Sequence, residues 1–257
     1  MADNHLKKSL GQHFLKDEEV LQKIACAIGD MKRFKTVIEI GPGKGALSKY
    51  LIKAKPDNFY VIELDDRWAE FLKQAYPLLR GKIINEDFLQ TDLGFMQYPT
   101  HLVGNFPYNI SSQIVFKMID HKNVVEQMTG MFQKEVALRI AAKPGSKDYG
   151  VMSVLAQAYY DCKYLFDVTP DSFDPPPKVM SGVIQLTRRD TKTLDCDEDF
   201  FKRIVKTAFN QRRKTMRNSL KEVVNDKEMF KNEIFNLRPE QLSVKEFEQL
   251  TNLIQKA

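Results

Sequence analysis

The sequence predicts an α/β fold, a parallel sheet with helices on both faces, followed by a small C-terminal all-helical domain. Three observations carry that expectation. Short β-rich runs alternate with stretches whose apolar residues recur at helical spacing, the pattern of repeated βαβ units. A glycine-rich turn, "GPGKG", follows the first of those runs directly. Beyond "VIQLTRRD" the β-rich runs stop and only helical patterns follow.

Taken in order, "TVIEIG" (36–41), "FYVIEL" (59–64), "KIINED" (82–87) and "HLVGN" (101–105) read as strands, each bounded by Gly, Pro or Asp. Helices are expected between them at 45–54 and 66–75, and after them at 111–119. Further strands are expected at 126–133, 157–166 and 180–187. "DPPPKV" (174–179) is a rigid extended segment, because each Pro fixes φ and disfavours helix at the residue before it. A boundary near residue 189 separates a domain over 1–188 from one over 189–257, with helices at 198–222, 226–235 and 243–255.

The 257 residues suffice for one large and one small domain, with the ordinary hydrophobic and charged content of a globular protein. Apolar stretches fall far short of the roughly 20 residues of a membrane-spanning helix. The start, "MADNHLKKSLGQHF", lacks the apolar core of a signal peptide and the arginines of a transit peptide. Cys26, Cys162 and Cys196 are odd in number and widely spaced, which fits neither a disulfide framework nor a zinc site. His5, His101 and His121 lack partners at metal-ligand spacing, so no metal is expected. A cytoplasmic location is expected. The net charge of +5 is uneven: residues 200–221 hold eight Lys or Arg and no acid. An acid-free basic run calls for an anionic partner, with nucleic acid in the lead, and Arg212, Arg213, Lys214 and Arg217 are its candidate phosphate contacts.

Gly41, Gly43 and Gly45 place G-x-G-x-G between strand and helix, where missing side chains let a ligand approach the backbone. The phosphate loop G-x-x-x-x-G-K-[ST] is excluded, because Lys44 falls too early. Glu63 ends the second strand, placed to accept from ribose hydroxyls, and Asp87 ends the third. Asp65 or Asp66 reads as a helix cap, and Trp68 as a buried helix residue. Three strand ends carrying Gly, Glu and Asp point to an adenosine-containing ligand; NAD would use the same elements.

The fourth strand narrows the choice. "NFPY", Asn105 to Tyr108, resembles the catalytic motif of S-adenosylmethionine-dependent methyltransferases that act on exocyclic amines. An adenine amine is a poor nucleophile because its lone pair is delocalised into the ring. The Asn105 carbonyl and a backbone carbonyl at Phe106 can accept its two N–H bonds and localise that pair. Pro107 holds the acceptors convergent, and Tyr108 offers a face for the base, worth ~1–3 kcal/mol.

The stretches "KKSLGQHFLKD", "VIEIGPGKGALS", "VIELD", "NEDFL", "GNFPYNISS", "MFQKEVALRI", "YGVMSVLAQ", "FDPPPKVMSGVIQL" and "FNQRRKTMRNSL" occur in the order seen in the KsgA family. These are ribosomal RNA small-subunit adenine N6,N6-dimethyltransferases, and the resemblance spans nearly the whole chain. It implies a Rossmann-like class I methyltransferase sheet, with a catalytic domain over 1–188 and a helical RNA-recognition domain over 189–257. It implies S-adenosylmethionine as methyl donor and two adjacent adenines, in the hairpin loop near the 3′ end of 16S rRNA, as target. A monomer acting on an immature 30S particle during small-subunit biogenesis is expected. The resemblance also assigns His13 and Leu15 to a segment closing over the cofactor, Gly41 to the loop contact, Glu63 to the ribose, Asp87 to the adenine amine, and Asn105 to both cofactor and target. His13 stands where the family usually has Asn, Phe106 where it has Leu or Ile, and Met180 where it commonly has Asp; Met180 is given no role. Phe173 is either a wall of the target pocket or a core aromatic. Two other readings compete: a large-subunit dimethyltransferase conferring antibiotic resistance, which "PPPKV" and "QRRKTMRN" disfavour, and a non-catalytic assembly factor, which the intact "NFPY" disfavours.

Overall fold

The computed structural model describes residues 13–54, 58–190 and 193–255. His5 and the "KKSLGQ" part of the N-terminal motif lie outside them. The chain partitions into two compact units, Met1–Ala137 with Lys163–Arg188, and Leu138–Cys162 with Arg189–Ala257. The compact units therefore do not follow a single cut at 189, since 138–162 group with the C-terminal residues.

In chain order the elements are β1 (Phe14–Leu15), α1 (Glu18–Ile28), β2 (Thr36–Ile40), α2 (Ser48–Lys53), β3 (Phe59–Ile62), α3 (Asp66–Ala75), β4 (Ile83–Ile84), β5 (Thr100–Asn105) and α4 (Ser111–Asp120). They continue with β6 (Val125–Gln133), α5 (Lys134–Ala141), α6 (Val151–Gln157), β7 (Tyr160–Val168), β8 (Phe173–Asp174), β9 (Ser181–Arg188), α7 (Glu198–Asn210), α8 (Met216–Ser219) and α9 (Val244–Gln255). Seven strands form one sheet in the order β4-β3-β2-β5-β6-β9-β7. From β4 to β6 every pairing is parallel. All five residues of β2 are buried, as a strand covered on both faces requires.

β9 departs from the all-parallel expectation and runs antiparallel to β6, Gln133 opposite Ser181. It is reached from its neighbour β7 through residues 169–180, which hold no crossover helix, and a parallel return needs one. The same connection carries β8, whose pairing with β1 sets Phe14 opposite Asp174 and Leu15 opposite Phe173. The chain runs outward from β2 through β3 to β4, then returns to β5 on the other side of β2. A switch of that kind opens a crevice at the carboxyl ends of β2 and β5, where ligands of open α/β sheets bind.

The second unit packs α7 against α9 and α6. Asp197 caps α7 by accepting from Phe200 N–H at 2.7 Å, and Phe201, Ile204, Val205 and Ala208 form its buried stripe. The helix expected over 198–222 ends at Asn210 and resumes only as the short α8. Gln211 to Lys214 offer no apolar side chain to bury, so nothing holds that stretch helical. The helix expected over 226–235 is instead two 3-10 turns, because Asn232 turns its side chain onto Ile234 N–H and interrupts the backbone ladder. Among the described residues, no helix is long and apolar enough to cross a membrane.

Candidate active site

One pocket at the carboxyl ends of β2, β3 and β5 brings together His13, Leu15, Gly41, Glu63, Asp87 and Asn105 through Tyr108. Gly41 and Gly43 both have positive φ, 65° and 54°, which side-chain-bearing residues rarely adopt. A Cβ on Gly43 would also lie 2.7 Å from the Phe14 ring, so the glycine is what lets the N-terminal segment cross the loop. Phe14 in turn meets the Trp68 ring edge-on at 5.1 Å, and the Lys44 ammonium stands 4.8 Å above it. Trp68 is buried in α3, as its helical position predicts, and Asp65 is that helix's N-cap.

Glu63 is buried, and its carboxylate accepts from Gly43 N–H at 2.9 Å and from Asp65 N–H at 2.9 Å. Burial pushes its pKa up while those two backbone donors oppose the shift. A carboxylate has about four acceptor positions, more than these backbone donors fill, so it keeps room for a hydroxyl. Because a carboxylate sits on Gly43 N–H, that loop donor is not offered to a pyrophosphate, which weighs against the dinucleotide alternative. Asp87 uses Oδ1 to accept from Leu89 N–H at 2.9 Å, and Oδ2 has no hydrogen-bond partner among the described residues. The loop after it is held by Lys117 of α4, which donates to the carbonyls of Phe88 and Thr91 at 2.6 and 2.7 Å. Burial lowers the Lys117 pKa.

At the other end, the Asn105 amide nitrogen donates to the His13 carbonyl at 3.0 Å. A carbonyl partner fixes which end of the amide is nitrogen, so Oδ1 is the acceptor this pocket-lining residue keeps. Phe106 N–H bonds to the Met131 carbonyl, and no backbone N–H of the described residues donates to the Phe106 carbonyl. Its ring packs into the core: a Cβ on Gly130 would lie 2.1 Å from it, and Phe132 is 4.9 Å away. The bulk that replaces Leu or Ile is thus accommodated by a glycine on the neighbouring strand. Pro107 lies in van der Waals range of Gly41, at 3.6 Å from the Cβ position there. Tyr108 is half-buried, stacked near the His13 ring at 5.9 Å, with its hydroxyl 2.5 Å from Ser181 Oγ. The His13 Nδ1 donates to the Pro175 carbonyl at 2.8 Å.

The model of the ribosomal RNA adenine dimethylase family matches residues 3–256. The chain belongs to that family. It is 52% identical over 254 residues to ribosomal RNA small subunit methyltransferase A of Bacteroides thetaiotaomicron, covering 98% of this chain and 94% of that protein. The protein of the same name from Flavobacterium johnsoniae is 51% identical, covering 97% and 95%. In structure the chain is similar to a dimethyladenosine transferase from Plasmodium falciparum, with TM-score 0.78, 24% identity and coverage of 95% and 97%. It is also similar to the 23S rRNA methyltransferase ErmE, with TM-score 0.69, 23% identity and coverage of 94% and 99%. The class I methyltransferase fold expected from the sequence is the fold found.

Within this adenine dimethylase, three site features escape a reading by strand ends. Glu39, in the middle of β2, is buried and lines the pocket; it accepts from Ser48 Oγ at 2.5 Å, and burial raises its pKa to about 8. Lys117 and Ser181 act through partners distant in sequence and carry no local signal. Phe173, open in the sequence, is a fully buried core residue. His101 is buried in β5 against Phe34, and His121 bonds the Lys117 carbonyl at 2.8 Å.

The four basic candidates separate. Arg213 and Lys214 are exposed, and neither side chain has a hydrogen bond or ion pair among the described residues. Arg212 donates to the Ser146 carbonyl at 3.3 Å. Arg217 donates to the Phe230 carbonyl at 2.6 Å and to Asn236 at 3.4 Å, which ties α8 to the 3-10 turns.

Proposed function

We propose that this ribosomal RNA adenine dimethylase places two methyl groups on the N6 amine of each of two adjacent adenines. They lie in the hairpin loop near the 3′ end of 16S rRNA, within an immature 30S particle. The observation that carries the reading is the pair of acceptors at Asn105 and Phe106, one fixed by its bond to His13 and the other left without a backbone donor. A pure RNA binder has no use for two convergent acceptors beside a ribose-accepting carboxylate.

The residues fit S-adenosylmethionine. Glu63 offers carboxylate lone pairs to a ribose diol, Asp87 Oδ2 suits an adenine amine, and Leu15 with Gly41 forms apolar and close-approach surface. When bound, the cofactor supplies a methyl group on a sulfonium whose sulfur leaves as a neutral thioether, so the attacking amine needs no strong base. Asn105 Oδ1 and the Phe106 carbonyl accept hydrogen bonds from the amine N–H groups and turn its lone pair toward the donor, and Tyr108 stacks on the base. The proton released passes to solvent. Exposed Arg213 and Lys214 contact phosphates, and the protein works as a cytoplasmic monomer. The approximately 50% identity to small-subunit methyltransferases supports the small subunit over the large. Labelled S-adenosylmethionine given with unmethylated small- or large-subunit particles tests the reading. Dimethyladenine at adjacent positions of small-subunit RNA is expected; label confined to large-subunit RNA overturns it.

A further inference from the structure

Tyr108 is the one residue of the "NFPY" motif whose side chain carries a polar group toward neither acceptor. Its hydroxyl lies 2.5 Å from the Oγ of Ser181, which is fully buried at the start of β9. Ser181 sits opposite Gln133 in the β6–β9 ladder, so its position is fixed by the sheet. The hydroxyl is therefore spent on another side chain and not on a base. One side of the ring is covered in turn: the His13 imidazole lies 5.9 Å away at 28°, itself held by the Pro175 carbonyl. The phenolic oxygen lies on the axis about which the ring turns, so a bond there leaves that torsion alone; what it fixes is the direction of the axis, which otherwise swings with the side chain. Here it is tethered.

We propose that Ser181 is a positioning residue that holds the axis of the Tyr108 ring against rocking and so fixes how the target base stacks on it. The inference rests on the dimethylase reading and concerns its second step above all. An unmodified amine offers two N–H bonds, so both acceptors orient it. Monomethyladenine offers one, and the base plane is then held by one hydrogen bond and by stacking. Stacking energy depends on parallel alignment, so a ring free to rock gives up most at the second transfer. The hydroxyl tether serves the step in which the amine can no longer orient itself.

The test compares Ser181→Ala, Tyr108→Phe, the double variant and Ser181→Thr on unmethylated small-subunit particles. Nucleoside mass spectrometry follows both products, and calorimetry follows S-adenosylmethionine affinity. Ser181→Ala and Tyr108→Phe each remove the same bond and leave the ring. Each is expected to slow the second methyl transfer about tenfold, with monomethyladenine accumulating and cofactor affinity within twofold of wild type. The double variant is expected to be no slower than either single, and Ser181→Thr to restore dimethyladenine. A wild-type product ratio in Ser181→Ala, losses that multiply in the double variant, or a rate loss matched by lost cofactor affinity would each overturn the positioning role while leaving the dimethylase reading intact. A wild-type protein that methylates no RNA would overturn that reading, and the tether with it.

Discussion

The two walls of the pocket are built in different ways. On the proposed cofactor side, Gly41, Glu63 and Asp87 stand at the ends of three strands, and the side-chain bonds of the two acids reach neighbours two to twenty residues away. The target side is assembled from segments far apart: His13 meets Pro175 across 162 residues, and Tyr108 meets Ser181 across 73. Strand ends position the first wall as soon as the sheet forms. The second requires the N-terminal segment to pair with β8, so the Asn105 amide is oriented only when that ribbon is in place. A perturbation of the first wall should act on cofactor affinity, and one of the second on the chemical step.

Asn105→Ala gives the sharpest separation. Loss of a preorganised acceptor at the reacting amine is expected to lower methyl transfer by about 10²–10³-fold. Fold and RNA affinity should survive, with at most a modest fall in cofactor affinity, since Asn105 lines the pocket and is proposed to stand between both ligands. Single-turnover transfer and filter binding on the same preparation decide it. Substantial dimethylation by this variant would remove Asn105 from the chemistry.

Stability should also depend on pH, and the cofactor wall supplies one of the two groups responsible. Glu39 is buried and its pKa is raised to about 8, by burial first and then by the negative charge of Glu63. A raised carboxyl pKa means that the folded state holds the proton more tightly. The stabilisation is therefore complete below the unfolded value near 4.5 and is lost as pH rises towards 8, by at most about 1.4 kcal/mol per pH unit. Glu39→Gln should flatten that slope in urea unfolding between pH 5 and 8. His101 acts with the opposite sign: burial holds its pKa down at about 3, so its contribution is complete above pH 6.5 and fades below it. An unchanged slope in Glu39→Gln would show that the carboxyl stays ionised.

Glu63→Ala, on the same wall, is expected to weaken S-adenosylmethionine by ~1–3 kcal/mol, because buried hydroxyls lose a charged acceptor. Gly43 N–H and Asp65 N–H lose their partner as well, so melting should be recorded beside the calorimetry. Wild-type affinity in a folded variant would reject Glu63 as a ligand.

The difference between the walls also explains what could be read from the chain. Strand, glycine turn and terminal acid are local signals, so the parallel half of the sheet and the cluster of Gly41, Glu63, Asp87 and Asn105 follow from residues near one another. Ser181 and the His13–Pro175 bond have no such signal, since only the fold brings them together. The antiparallel β9 was hidden for a related reason: its direction depends on the missing crossover before it, and "DPPPKV" announces an extended segment without saying which way the chain returns. Glu39 reads as an ordinary polar residue in an apolar strand until both faces of β2 are seen to be covered. In the second unit, helix patterning fits α7 and α9 but overruns at Gln211, where polar side chains leave nothing to bury, and at Asn232, whose side chain caps a new turn.

The smallest effects should come from the basic stretch, where composition alone makes four residues look equivalent. Arg213 and Lys214 are exposed and unpaired among the described residues, so each can give its full charge to a phosphate. Neutralising either should weaken RNA binding across sequences and lower the salt slope by about one. Arg217 already donates to Phe230 and Asn236, so a phosphate would compete with bonds that hold α8 to the following turns. Arg217→Ala should therefore cost about 1 kcal/mol of stability, a fall of roughly 2–4 °C in melting temperature, with little change in slope. Arg212, with its one long bond to Ser146, should fall between the two. Salt titrations of the four single variants, beside their melting curves, separate phosphate contacts from internal ties. Equal slope changes in all four would mean that Arg217 leaves Phe230 to meet the RNA, and that the second unit reshapes around its substrate.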